Sequence, residues 1–498
     1  MSRRLRFLAS FILFLFVVVA AQSAYIQFFQ SEKLVSSSLN PRISQASTLY
    51  ARGEIVAADG TILAQSVPVK GPYPWQRLYP LGSLTSGVVG FSSPSYGVWG
   101  LEAQYDSYLS AHAQPPQSLA QLLAPSSSAD TLNLTIEPAL QTIARNALAG
   151  KDGAAVVLDP RNGAVLAMYS NPNYDPTPLV SSDFTVAAKA WKNYTSKNAN
   201  GFPPLGLMAT QQTFPPGSTF KVITTAAAVI GRPDLISKPY PVEKFARLPG
   251  SNKLLYNSGN TKCGGTIAEM LPASCDPGYA LLGMDLGGSL LAATANAFGF
   301  NDTPPLDLPG TVRSFFPDGS VFSNDIPQLA YSSIGQQNVR ATALQDALVA
   351  AAIANGGVMM APHLMSFISS SDGSIVKRFK NSVWKNPLTQ LQASQIVPWM
   401  QNVVRFGTAA GIFLAKDDVA AKTGTAQTGN SANNTDTWMI AFAPALHPTV
   451  AVAVVVPLQP VSAFGSTVAG PITKCLVEGA LALQKGLPTH GTSTTCAK

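Results

Sequence analysis

Hydrophobic and polar positions follow several different rhythms along the 498-residue chain. Phe7 to Phe29 contains no charged residue and is apolar on every side of a helix, directly behind Arg3, Arg4 and Arg6. Arg52–Ser66 alternates around Asp59-Gly60, the pattern of a β-hairpin. Gly100–Asp106 begins a short helix. Residues 110–130, rich in Pro, Ser, Gln and Ala, read as a linker holding one small helix. Thr135-Ile-Glu-Pro138 supplies an N-cap, an early acid and an early proline for a helix reaching about Leu148. Gly153–Leu158 and Ala164–Tyr169 then flank Asp159-Pro-Arg-Asn-Gly163 as an antiparallel hairpin. From Ser218 to about Gly357 the pattern is mainly helical, broken by Gly and Pro loops. Three more strands follow, Ala421–Gln427, Trp438–Ala443 and Val450–Val456, then a helix from about Gly470 to Lys485 and a threonine-rich tail.

Strands at both ends with helices between them predict one antiparallel sheet built from the first and last parts of an α+β domain. The helix opening at Ser218 then lies against that sheet, facing the strand that carries Lys422. The domain plan is a basic tip and transmembrane anchor (1–30), a small irregular N-terminal domain with its linker (31–131), the main domain (132–485) and a flexible tail (486–498). About 20 apolar residues span a bilayer, and arginines in front of them keep the N-terminus cytoplasmic, leaving the rest outside the cell membrane. Val19-Ala-Ala21 offers a cleavage site for a signal peptide. The apolar run outlasts it through Tyr25, Ile26, Phe28 and Phe29, which favours a retained single-pass anchor.

Composition narrows the chemistry. A 46% hydrophobic and 12% charged chain suits folded cores and excludes disorder. The net charge of +7 comes without a basic cluster interleaved with aromatics, so the chain is not read as a nucleic-acid binder. An anionic membrane or wall surface fits better. Cys263, Cys275, Cys475 and Cys496 form no C-x-x-C pair, and His112, His363, His447 and His490 are scattered, which argues against a zinc site. The spacing of Cys263 and Cys275 suits a disulfide or two buried thiols equally well.

The candidate chemistry centres on Thr213–Ala228. Pro215, Pro216 and Gly217 form a turn, and Ser218 opens a helix on which Lys221, three residues on, shares its face. A serine hydroxyl becomes nucleophilic when a neighbouring base takes its proton, and an unprotonated amine is such a base. The positive end of the helix lowers the lysine's pKa and offers N–H groups to an oxyanion. S-x-x-K also occurs at Ser374–Lys377 and Ser382–Lys385, but the first reads as a strand after a turn and the second is cut off by Asn386-Pro387. Lys422-Thr-Gly-Thr425 occurs once, at the start of a predicted strand. Gly424 leaves the strand edge clear for a ligand, while Lys422, Thr423 and Thr425 suit a carboxylate. Ser274-Cys-Asp276 lies 56 residues after Ser218 and 148 before Lys422, and is uninformative by itself.

Together with Arg52–Ser66, Gly153–Pro176, Ser332–Gln336, Ala351–Pro362 and Gly407–Pro444, these motifs resemble the class B penicillin-binding proteins, of the penicillin-binding protein A type. The resemblance implies a transpeptidase fold, a five-stranded antiparallel sheet flanked by helices, with a dimerisation or pedestal-like N-terminal domain. It implies that Ser218 is acylated by the penultimate D-alanine of a peptidoglycan stem peptide, with Lys221 as base and Ser274 relaying the proton to the leaving amine. Lys422, Thr423 and Thr425 would hold the terminal carboxylate, beside Gly424 and Asp276. The N–H groups of Ser218 and Thr425 would form the oxyanion hole. It further implies β-lactams as ligands and no metal or organic cofactor. Residues 31–150 are too few for a glycosyltransferase domain, so glycan polymerisation falls to a partner, by analogy a membrane polymerase of the SEDS family. One position departs from the family pattern: Asp276 stands where Asn is usual. A D,D-carboxypeptidase, a β-lactam hydrolase or sensor, and a catalytically impaired scaffold are the alternative readings.

Overall fold

The computed structural model describes residues 3–25, 50–70, 74–110, 112–113, 127–413, 418–429 and 434–487. The stalk, most of the 110–130 linker, the end of the apolar N-terminal run and the tail beyond Leu487 lie outside the described residues. Helix α1 (Arg3–Tyr25) carries a belt of side chains from Phe11 to Val19 that is exposed on all sides. Among the described residues no helix is long and apolar enough to cross a membrane.

The Asp59-Gly60 turn joins β1 (Ile55–Val56) to β2 (Ile62–Pro68), with Val56 opposite Ile62, as the alternation predicts. β3 (Trp75–Leu78) extends this sheet, and β4 (Thr131–Leu134) pairs with β1 in parallel. Helix α2 (Pro138–Leu148) starts at its proline, whose missing N–H costs nothing in a first turn. β5 (Gly153–Leu158) and β6 (Val165–Asn171) form the expected hairpin. A 3₁₀ turn, Gly217–Phe220, leads into α3 (Lys221–Gly231). Helices α4 (Ile267–Ala273), α5 (Asp276–Leu286) and α6 (Ala343–Ala354) follow.

β7 (Met365–Ser369) and β8 (Ile375–Arg378) make a hairpin whose β7 pairs with β4. The first sheet therefore has the order β8-β7-β4-β1-β2-β3, and joins the N-terminal segment to a hairpin from the middle of the main domain. The strand pattern did not reveal this union. β9 (Ala420–Gln427), β10 (Thr435–Ala443) and β11 (Val450–Gln459) complete the second sheet, ordered β6-β5-β11-β10-β9, and α7 (Ala469–Gln484) closes the described chain. This five-stranded antiparallel sheet is assembled from early and late segments, as expected.

Side chains alternate across a strand, and here both faces are buried. Trp438, Ile440 and Phe442 of β10 join one core, with α6 and α3, whereas Met439, Ala441 and Ala443 join the other, with α2 and α7. The sheet is thus a rigid partition, with α3 buried from Lys221 to Val229 on one side of it. β9 is the edge strand next to the Gly217–Phe220 turn.

Candidate active site

Three local structures hold Ser218. The Trp438 indole N–H donates to Pro215 O at 2.9 Å, the Gly217 N–H donates to Gly335 O at 2.9 Å, and Thr219 Oγ1 lies 2.7 Å from Asp346 Oδ2. Gly217 has φ +56, in the left-handed region, and a Cβ there would stand 2.7 Å from Thr425 O. Glycine is therefore required both by conformation and by the close approach of the β9 backbone. The first turn after Gly217 is 3₁₀ rather than α, and tightens the chain before Lys221.

Lys221 and Lys422 are both fully buried, and their side-chain nitrogens meet at Ser274. Lys422 Nζ donates to Ser274 Oγ at 2.7 Å and to Thr423 O at 2.9 Å. Lys221 Nζ donates to Ser274 O at 2.7 Å, to Ser274 Oγ at 3.5 Å and to Asp276 Oδ1 at 2.6 Å. Ser274 caps α4 with φ 54 and ψ 41, a left-handed conformation uncommon for serine. Two bonds hold this corner. Cys275 is joined to Cys263 by a disulfide, which settles the alternative of free thiols for this pair, and the Asp276 N–H donates to Asn257 Oδ1 at 3.0 Å.

Burial pushes the Lys221 amine below its ordinary pKa, and the Asp276 carboxylate partly offsets this. Lys422 is pushed well below, first by burial and then by the charge of Lys221. The sequence reading assigned the lowering of Lys221 to the helix terminus, but burial is its largest cause. Two adjacent amines so coupled share their protons as a unit. Asp276 biases the shared charge towards Lys221.

Ser218, Asp276 and Thr425 line an open cleft of about 790 Å³, together with Tyr256, Asn257, Gln337 and Arg340. Thr425 Oγ1 accepts from the Gly465 N–H at 3.0 Å, leaving its own proton for a ligand. Thr423 does not line the cleft; its hydroxyl pairs with Thr408 Oγ1 at 2.6 Å. The open strand edge expected at Gly424 is instead a packed contact, where a Cβ would meet Pro216 O at 2.7 Å and Trp438 Cβ at 2.9 Å. The decoy serines sit elsewhere: Ser374 precedes β8, and Ser382 precedes a short strand, Val383–Lys385. Asn257, Arg340, Asp346 and Gly465 reach the site from distant parts of the chain without any local motif to announce them.

Comparison with known proteins agrees with this geometry. Residues 153–478 match the penicillin binding protein transpeptidase domain, and residues 52–127 match the penicillin binding protein A dimerisation domain. The peptidoglycan D,D-transpeptidase PbpA of Mycolicibacterium smegmatis is 34% identical, over 97% of this chain and 99% of its own. Penicillin-binding protein A from M. tuberculosis, solved as a penicillin G acyl-enzyme complex, aligns with a TM-score of 0.78 at 32% identity, covering 86% of this chain and 99% of that one. The D,D-transpeptidase domain of a peptidoglycan glycosyltransferase from Eggerthella lenta aligns with a TM-score of 0.75 at 28% identity, covering 88% of this chain and 100% of that one. The five-stranded sheet, the convergence of the three motifs and these likenesses together place the chain in the class B penicillin-binding proteins, of the penicillin-binding protein A type.

Proposed function

We propose that the protein is a peptidoglycan D,D-transpeptidase that works through an acyl-enzyme on Ser218 and is acylated there by β-lactams. The observation that carries this reading is the meeting of Lys221 and Lys422 on Ser274 Oγ, beside a cleft lined by Ser218 and Thr425. In its unprotonated form Lys221 takes the Ser218 proton as Oγ attacks the carbonyl of the penultimate D-alanine. The N–H groups of Ser218 and Thr425 receive the oxyanion, and the approach of the Gly217 and Thr425 backbones supports this placement. The proton passes through Ser274 to the leaving amine as the C–N bond to the terminal D-alanine breaks. An amine of a second stem peptide then attacks the ester, forms the cross-linking amide and releases Ser218. Thr425 and the Lys422 charge meet the terminal carboxylate, whose arrival favours the protonated form of Lys422. Thr423 supports Lys422 through its carbonyl.

The test is product analysis with a stem peptide ending in D-Ala-D-Ala and a separate acceptor amine. Free D-alanine together with the cross-linked amide is the expected result. D-Alanine with only hydrolysed donor would establish a carboxypeptidase instead, and turnover of penicillin without a lasting adduct a hydrolase.

Membrane attachment through α1 belongs to the same proposal. Its support is the apolar belt on all sides of the helix behind Arg3, Arg4 and Arg6, since a helix apolar all round needs an apolar surround. The catalytic domain then lies outside the cell, and polymerisation of glycan is left to a separate membrane polymerase of the SEDS type. Release of the intact protein from membranes by salt alone would contradict the anchor. The domain plan, with boundaries near residues 30, 131 and 485, is part of the proposal too.

A further inference from the structure

Arg340 lines the same cleft as Ser218, yet the proposed chemistry makes no use of it. Its backbone pairs with Phe315, which fixes where the side chain starts. Its guanidinium is held by one corner: Nη1 donates to Gln337 O at 2.6 Å and to Val339 O at 2.8 Å. Gln337, whose carbonyl takes one of these bonds, carries φ 59, a left-handed conformation that is costly for a side chain with a Cβ. Among the described residues, Nε and Nη2 have no hydrogen-bond partner, and no carboxylate comes within 4.0 Å of the group.

The charge of this arginine is incompletely compensated. Its opposing group is Asp436 on β10, opposite Ala426 of β9. Asp436 is buried and spends Oδ1 on the Leu458 N–H at 3.0 Å. Burial pushes this carboxyl up to about 6, which weakens it as a counter-charge. Half-burial lowers the Arg340 pKa in turn. A guanidinium anchored through Nη1, with its Nε–Nη2 edge free in a cleft, has the planar fork that takes a carboxylate through two parallel bonds.

Its position says which carboxylate. The terminal carboxylate of the donor is assigned to Thr425 and Lys422. A peptide extended along β9 from there runs past Ala426 and Gln427, and Gln427 also lines the cleft. Each residue advances about 3.3 Å, so the Asp436 end of β9 faces residues upstream of the D-alanine pair.

We propose that Arg340 is a specificity residue that binds a free carboxylate carried by the stem peptide upstream of its terminal D-alanines, so that the site discriminates against stems in which that carboxylate is amidated. This rests on the transpeptidase reading of the cleft. The experiment uses the full-length protein in detergent and two donor peptides, identical except for a free or an amidated side carboxylate. It compares wild type, Arg340→Gln and Arg340→Lys, and measures penicillin acylation of each in parallel.

Wild type should prefer the carboxylated peptide. Arg340→Gln should raise its KM for that peptide about tenfold and leave the amidated peptide unchanged, thereby erasing the preference. Arg340→Lys should keep part of it, and penicillin acylation should stay within about twofold of wild type in all three. Absence of a preference in wild type would overturn the inference. So would an equal loss on both peptides with slowed penicillin acylation, which would assign Arg340 to holding Asp436 and the loop. Failure of penicillin to acylate wild type would sink the transpeptidase reading itself, and this inference with it.

Discussion

At the residue scale the site turns on where one proton sits. Lys221 donates to Asp276 at 2.6 Å, and this contact opposes the burial that would otherwise make Lys221 a better base. Asparagine at 276 keeps the hydrogen-bonding shape and removes the charge. The folded pKa of Lys221 then falls further, so its neutral form is reached at lower pH. Asp276→Asn is expected to speed penicillin acylation at pH 7 by about tenfold and to move the rising limb of its pH profile to lower pH. The measurement is the second-order acylation rate constant from pH 5 to 9; a variant slower at every pH would assign Asp276 a productive role. Asp346 presents a second case. Thr219 Oγ1 lies 2.7 Å from Asp346 Oδ2 and 3.0 Å from Pro216 O, but has only one proton for both. Burial raises this carboxyl from 3.8 to about 7, so near neutrality it can supply the missing proton. A carboxyl whose pKa is raised by folding stabilises fully below its unfolded pKa, near 4, and loses that contribution as pH rises towards and through 7. Replacing Asp346 by Asn should shrink the fall in Tm between pH 5 and pH 8, and an unchanged fall would show that the group does not titrate there.

At the scale of elements, the 3₁₀ turn and β9 act as one unit because their backbones touch. A methyl group at 424 would press on Pro216 O at 2.7 Å and Trp438 Cβ at 2.9 Å, neither of which is a flexible side-chain end. Overpacking of this kind costs about 1–3 kcal/mol. Gly424→Ala should lower Tm by a few degrees and slow penicillin acylation by at least about tenfold, because the strain falls on the turn that aims Ser218. Acylation at the wild-type rate would mean that β9 shifts without moving the turn. The same contact explains what could be read from the chain beforehand. S-x-x-K and K-T-G were legible because each keeps its functional groups within four consecutive residues. Ser274 and Asp276 gained meaning only through the family resemblance, since a left-handed serine leaves no local mark. Arg340, Asp346 and Gly465 were invisible, because only the packing of distant elements brings Arg340 to the cleft, Asp346 to Thr219 and Gly465 to Thr425.

At the scale of the molecule, one sheet builds the site and the other ties the N-terminal segment to it. The five-stranded sheet was legible from strand runs at both ends of the main domain. The six-stranded sheet was not, since Met365–Ser369 does not alternate cleanly and nothing in it says which strand it pairs with. The pairing of β7 with β4 makes that hairpin one physical link between the segments, beside contacts such as Tyr105 with Asp307 and Gln141 with Leu84 O. Pro substituted for Ile368, which stands opposite Leu132 on one side and Lys377 on the other, would remove a ladder N–H from this central strand and should be destabilising, detected as lost protection of β4 and β8 amides in hydrogen exchange. Unchanged protection in β4 would show that the sheet does not act as a unit. The predicted changes in acylation presuppose that Ser218 is the nucleophile. The most direct measurement is peptide mapping by mass spectrometry of the full-length protein after penicillin treatment, alongside Ser218→Ala. The account predicts one adduct, on the peptide holding Ser218, and none in the variant. An adduct that survives Ser218→Ala, or that maps to Ser274, Ser374 or Ser382, would contradict it.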